Sequence, residues 1–315
     1  MKEAKKFIPA PGTNPSLTWR ELGASYPQEV ISSERKQEIF GADIARLRKL
    51  FSKHGIETPS NLSDRLLILG VEDFRSLWVK ERPKTPLKDS RVTGFTIDDT
   101  NTAVFSYTAL EYFAEESGIS TEEALRLVGI HELLHTLQTK ERWAEIVDGQ
   151  TELKGTRRDG IVTGRPLLYG DDKYLGLGMK RFVEGFTEYL TTEITELVDI
   201  TGYVKTYLQE QETARSLINE VGFEPVFLAM YTKQGLRRLY EAVAGNFGKY
   251  TLQLMLTEMG KAYEGFEKEV SKNGYSNLHT PNYTHAAATL GYEIGKLICV
   301  SGPWKRFDDK DRNPN

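Results

Sequence analysis

Cysteine is nearly missing from this 315-residue sequence: Cys299 stands alone, which excludes an intramolecular disulfide, a CxxC redox pair and any cysteine-rich zinc site. Histidine is scarce as well, at five residues: His54, His131, His135, His279 and His285. Neither sign of charge prevails. The 41 Lys and Arg against 45 Asp and Glu leave a net charge of −4, too small a bias for a chain that coats nucleic acid or an anionic membrane. Basic pairs such as Arg157-Arg158 and Arg237-Arg238 are isolated and read as solvated surface. Long apolar runs are lacking too. Leu66–Val71 falls far short of the roughly 20 residues a membrane-spanning helix needs, so no membrane insertion is expected. The opening segment has basic residues with no apolar stretch behind them, so no secretory leader is expected either. With one cysteine, this points to a cytoplasmic protein. Gly176-Leu177-Gly178 has no third glycine at dinucleotide-binding spacing, and there is neither a P-loop nor a nucleophile elbow.

What is present suffices for a substantial core. Hydrophobic residues make up 39% and aromatics 10%, which excludes wholesale disorder, and the length suits two domains or two lobes. Ile39, Ile44, Leu47 and Phe51 predict an amphipathic helix over 32–54 that stops at Gly55. Arg65–Val71 reads as a buried strand, and Phe74, Leu77 and Trp78 share one side of a short helix after it. Gly94–Ile97 and Thr102–Ser106 read as a hairpin around Asp98-Asp99-Thr100-Asn101. Helical spacing returns at about 180–198, 203–221, 224–243, 250–270 and 284–299. The expected organisation is a flexible arm over 1–30, an α/β lobe over 31–147, a Gly-rich loop or hairpin insertion over 148–179, a helical lobe over 180–301 and a flexible tail over 302–315. The fold class is therefore α+β, mainly helical.

Two motifs carry chemistry. Ser120-Thr121-Glu122-Glu123 is a capping box, and the helix it opens, running to about Thr139, contains His131-Glu132-Leu133-Leu134-His135, an HExxH pattern. Residues four apart lie about 40° around a helix and about 6 Å along it, so both imidazoles project from one face and can share one Zn²⁺. Glu132 points roughly 100° away from His131, close enough to act on a water without becoming a ligand. A catalytic zinc needs a third protein ligand. The continuation HxxGxxH fails, because Gln138 and Glu141 stand where Gly and His would be. Further on, Glu184 and Glu188 form an ExxxE pair among Phe182, Val183, Phe186, Tyr189 and Leu190. Carboxylates in apolar company need partners; one can bind the metal while the other accepts the spare N–H of a ligating histidine.

His131-Glu132-Leu133-Leu134-His135 followed by Val183-Glu184-Gly185-Phe186 resembles the gluzincin metallopeptidases, the thermolysin-like and aminopeptidase-like zinc enzymes. The resemblance covers about 121–140 and 180–192, with Val183 standing where the aminopeptidase branch carries Asn. It implies a zincin-like fold, with a small mixed α/β N-terminal lobe, an all-helical C-terminal lobe and the active-site cleft between them. It also implies one Zn²⁺ per chain held by His131, His135 and Glu184, with Glu188 orienting His131. Glu132 would be the general base and acid of peptide hydrolysis. Enzymes of this kind use a Tyr or His to stabilise the oxyanion; Tyr283 and His285 are the expected donors, with Tyr169 and Tyr174 as competitors. They also pair an extended peptide with an edge strand before the motif helix, here Ala103, Val104 and Phe105. The aminopeptidase branch's Gly-x-Met-Glu-Asn segment is missing, which favours an endopeptidase. The expected partner is a peptide or protein substrate and not nucleic acid. The alternative is a zincin-fold protein that binds metal or peptide without turnover.

Overall fold

The computed structural model describes residues 7–10, 25–60, 62–82, 93–97, 100–138, 140–147, 150–158, 161–163, 173–197, 208–232, 235–248 and 251–273. The architecture is α+β and mainly helical, and the chain divides into two units. Thr13–Gln138 with Leu190–Lys205 form one; Met1–Gly12, Thr139–Tyr189 and Thr206–Asn315 form the other.

In the first unit, helix α1 (Ser33–Lys53) is capped by Ser32, whose hydroxyl accepts from the Arg35 amide, and buries Ile39, Phe40, Ile44, Leu47 and Phe51 along one stripe. Its end at Gly55, in the left-handed region at φ 70°, matches the sequence. The sheet comprises β2 (Leu66–Leu69), β3 (Gly94–Ile97) and β4 (Thr102–Ser106) in the order β2-β4-β3. β2 runs parallel to β4, while β3 pairs antiparallel with β4, Ile97 opposite Thr102, as the expected hairpin requires. Helix α2 (Val71–Glu81) closes one face: Phe74, Leu77 and Trp78 pack on Phe95, Ile97 and Val104, with Trp78 edge-on to Phe95 at 5.1 Å.

One expectation fails here. Ala103, Val104 and Phe105 do not lie on an edge: β4 is hydrogen-bonded on both sides, and all five of its residues are buried. A strand covered on both faces is continuously apolar rather than alternating, as Ala103, Val104 and Phe105 are, and the edge expectation rested only on the strand's place before the motif helix. β3 is the outer strand on that side of the described sheet.

Helix α3 (Tyr107–Ser117) follows β4 directly, with Ser106 as N-cap and a left-handed Gly118 as terminator. Helix α4 (Thr121–Leu137) is the motif helix. It packs against α1 where Gly129 faces Phe40, since a Cβ on Gly129 would clash with that ring.

The second unit holds a four-stranded antiparallel sheet, in the order β1-β5-β6-β7, of β1 (Phe7–Ala10), β5 (Lys140–Val147), β6 (Gln150–Arg158) and β7 (Ile161–Thr163). β1 thus lies in the stretch whose Pro and Gly content read as an arm, and the insertion carries strands over part of its length. Helix α5 (Lys173–Thr195) begins earlier than expected, because Gly176 and Gly178 read as helix breakers yet sit within it. After it come α6 (Leu208–Val221), α7 (Phe223–Tyr231), α8 (Gly235–Phe247) and α9 (Thr251–Asn273); the single helix expected over 224–243 is divided between α7 and α8. Close helix contacts rest on glycine. A Cβ on Gly178 would collide with the Leu256 carbonyl of α9, and one on Gly185 with the Glu210 backbone of α6. Across the α5–α6 contact Arg181 Nε donates to Glu210 Oε1 at 2.7 Å, and its guanidinium lies 3.9 Å from the Tyr263 ring centre. Among the described residues no helix is long and apolar enough to cross a membrane.

Candidate metal centre

Local sequence marks the start of the motif helix. Ser120 Oγ accepts from the Glu123 amide at 3.1 Å, and Glu123 Oε2 accepts from the Ser120 amide at 2.8 Å, completing the capping box. The Ser120 N–H, followed by its hydroxyl, holds the Glu123 carboxyl below its ordinary pKa. Buried Ala124, Leu127, Leu134 and neighbours then orient the helix, and the same burial carries the two histidines inward: His131 is 9% exposed and His135 4%. Their Nε2 atoms face each other at 3.1 Å, with the rings 72° apart. Two ligand atoms at about 2.0–2.1 Å from a tetrahedral ion are about 3.3–3.4 Å apart, so the pair is nearly at ligand spacing.

Glu184 on α5 completes the group. One ligand atom from each of His131, His135 and Glu184 lies within 4.8 Å of the others, a group that could hold a metal ion. Two imidazoles and one carboxylate are a donor set for a borderline divalent metal, and three protein ligands leave a coordination position open. Glu188, one turn further on, is buried but is not a member of this group.

Glu132 lies beside the histidines in sequence and is half-buried. Thr96, on the outer strand β3, donates from Oγ1 to Glu132 Oε2 at 2.8 Å, so the sheet anchors this carboxylate. At the C-terminal end of α4, Gln138 is 2% exposed and its Oε1 lies 3.3 Å from His135 Nδ1. Arg65, fully buried, donates from Nη1 to the Thr136 carbonyl at 3.0 Å, a cation at the negative end of the helix.

A buried ionic cluster ties α1, α4 and the last turn of α5 together. Arg126 of α4 grips the fully buried Asp43 of α1 through two hydrogen bonds, 2.8 Å and 2.9 Å, and Arg46 adds a third at 3.0 Å. The Asp43 hydrogen bond raises the pKa of the Arg126 guanidinium further. Both arginines also cap α5, Arg46 donating to the Ile194 carbonyl at 2.6 Å and Arg126 to the Thr195 carbonyl at 2.8 Å.

Of the other expected participants, Tyr174 is half-buried near the start of α5, and Tyr283, His285 and Tyr169 lie outside the described residues. Thr96, Gln138, Arg65 and the Asp43 cluster were not singled out by the sequence. Each acts through a contact made only after folding, and none belongs to a recurrent spacing. The chain matches no family model, no curated protein and no solved structure.

Proposed function

We propose that this protein is a zinc-dependent metallopeptidase of the gluzincin type, with His131, His135 and Glu184 as metal ligands and Glu132 as general base and acid. The observation that carries the reading is the convergence of these two histidines and this glutamate, from separate helices, within 4.8 Å. When bound at such a site, zinc supplies Lewis acidity and lowers the pKa of a coordinated water towards about 7. The chain's own residues do the remaining work. Glu132 accepts a proton from the attacking water and returns it to the amine leaving group, and the Thr96 hydroxyl holds the carboxylate in place meanwhile. The substrate is a peptide or protein, met by β3 rather than β4, with internal bonds preferred over terminal ones. A cytoplasmic location, inferred from the single cysteine, belongs to the same proposal.

The experiment is Glu132→Gln. The variant should bind zinc as the parent does, while hydrolysis of a mixed peptide library falls by about 10²–10⁴, the range for loss of a general base. Retained hydrolysis would overturn the role given to Glu132. A parent that binds zinc and cleaves nothing would favour the binding-only alternative.

A further inference from the structure

We propose that Gln138 is a positioning residue for the metal centre, selecting the His135 tautomer that can bind a metal through Nε2. The inference rests on the metal reading above and goes beyond it by naming what makes the histidine pair ready to bind. Helix α4 ends at Leu137, and Gln138 leaves it in an extended conformation, φ −62° and ψ 137°, with Oε1 3.3 Å from the Nδ1 of His135, three residues back. Both side chains are buried, so bulk water is a poor substitute for this contact.

The chemistry follows from the number of protons. A neutral imidazole carries its proton on one nitrogen only, and an amide oxygen accepts but cannot donate. With Oε1 rather than the amide NH₂ turned to His135, Gln138 favours the proton on Nδ1 and leaves the Nε2 lone pair facing His131. The other tautomer has its own attraction here. With the proton on Nε2, His135 would donate to His131 Nε2 across 3.1 Å and occupy both ligand nitrogens at once. Gln138 decides between a self-paired couple and one open to metal. The turn that carries it is held firmly: besides the Arg65 bond to the Thr136 carbonyl, Arg65 Nη1 reaches Thr136 Oγ1 at 3.2 Å, and that hydroxyl donates to the Leu133 carbonyl at 2.7 Å.

The test combines ¹⁵N NMR of the histidine rings in metal-free protein with zinc affinity measured by competition against a chromophoric chelator. The parent should show His135 protonated on Nδ1. Gln138→Ala should move the proton towards Nε2 and weaken zinc binding about 10–100-fold, the usual cost of losing a partner that orients a ligand. Gln138→Glu, whose carboxylate accepts the same hydrogen bond, should bind within about threefold of the parent. Gln138→Met keeps the volume without the acceptor, and replaces alanine if the shorter side chain unsettles the helix end. Zinc affinity unchanged in both Gln138→Ala and Gln138→Met would overturn the proposal. So would an equal loss in Gln138→Glu, which would mean that shape and not acceptance matters. A parent that binds no zinc would refute the metal reading itself. The ring spectra would then judge Gln138 alone, and a His135 tautomer indifferent to Gln138→Ala would overturn its role.

Discussion

Helix α5 allows one substitution to be made twice with opposite results. Gly185 is next to the proposed ligand Glu184, and a Cβ there would press into the carbonyl carbon, oxygen and Cβ of Glu210, all well inside the 3.0 Å that real Cβ atoms respect. Backbone atoms cannot rotate aside, so α5 and α6 must part by about 1 Å, and overpacking of this kind costs about 1–3 kcal/mol. Alanine's better helix propensity offsets about 1 kcal/mol. Because the obstruction is backbone and not a flexible side chain, we expect a net loss of about 2 kcal/mol for Gly185→Ala. Gly176 lies on the same helix with nothing within 4 Å of its would-be Cβ. Gly176→Ala should therefore stabilise the protein by about 0.5–1 kcal/mol through propensity alone. Urea unfolding of metal-free protein, followed by circular dichroism, reads both as shifts of the midpoint. If Gly185→Ala were as stable as the parent, or if both variants moved the same way, the close α5–α6 approach would be wrong.

Further outcomes are expected at three places in the structure. Asp43→Ala leaves Arg126 and Arg46 without their carboxylate; breaking a buried pair costs about 3–5 kcal/mol, and we expect about 3 because the two arginines, 21% and 34% exposed, can turn to water. A loss below about 1 kcal/mol in the same urea assay would mean that the cluster is solvated. At the start of α4, Ser120→Ala should cost about 1 kcal/mol. Since folding lowers the Glu123 pKa, its contribution is present above the unfolded value, about 4.3, and is lost as pH falls through the lower folded value. The stability gap between the parent and Glu123→Gln should therefore be open at pH 7 and close in acid; a gap that widens in acid would refute this. Finally, Glu184→Ala should weaken zinc binding more than Glu188→Ala in a chelator competition, and the reverse order would exchange their roles.

The parts legible in the sequence were those governed by local periodicity. Ser120 and Glu123 announced the start of α4, the spacing of His131 and His135 put both rings on one face, and the apolar surroundings of Glu184 marked it as a carboxylate needing a partner. What stayed hidden depends on residues far apart in the chain. The parallel pairing of β2 with β4 moved Ala103, Val104 and Phe105 from an edge to the centre, and no short-range pattern records a parallel neighbour. Gly178 fell within the stretch read as a loop, because glycine serves close helix contact and chain flexibility alike. Asp43 and Arg126 are 83 positions apart, and each alone reads as an ordinary surface charge on an amphipathic helix. In the sequence Gln138 is only the residue that breaks a longer histidine motif.

On the proposed function, His131, His135 and Glu184 hold one zinc ion. The decisive measurement is metal analysis of protein prepared without exposure to chelator, on the parent and on Glu184→Ala side by side. Close to one zinc per chain is expected in the parent, with a marked loss in the variant. Less than about half an equivalent in the parent, or equal zinc in both proteins, would contradict it.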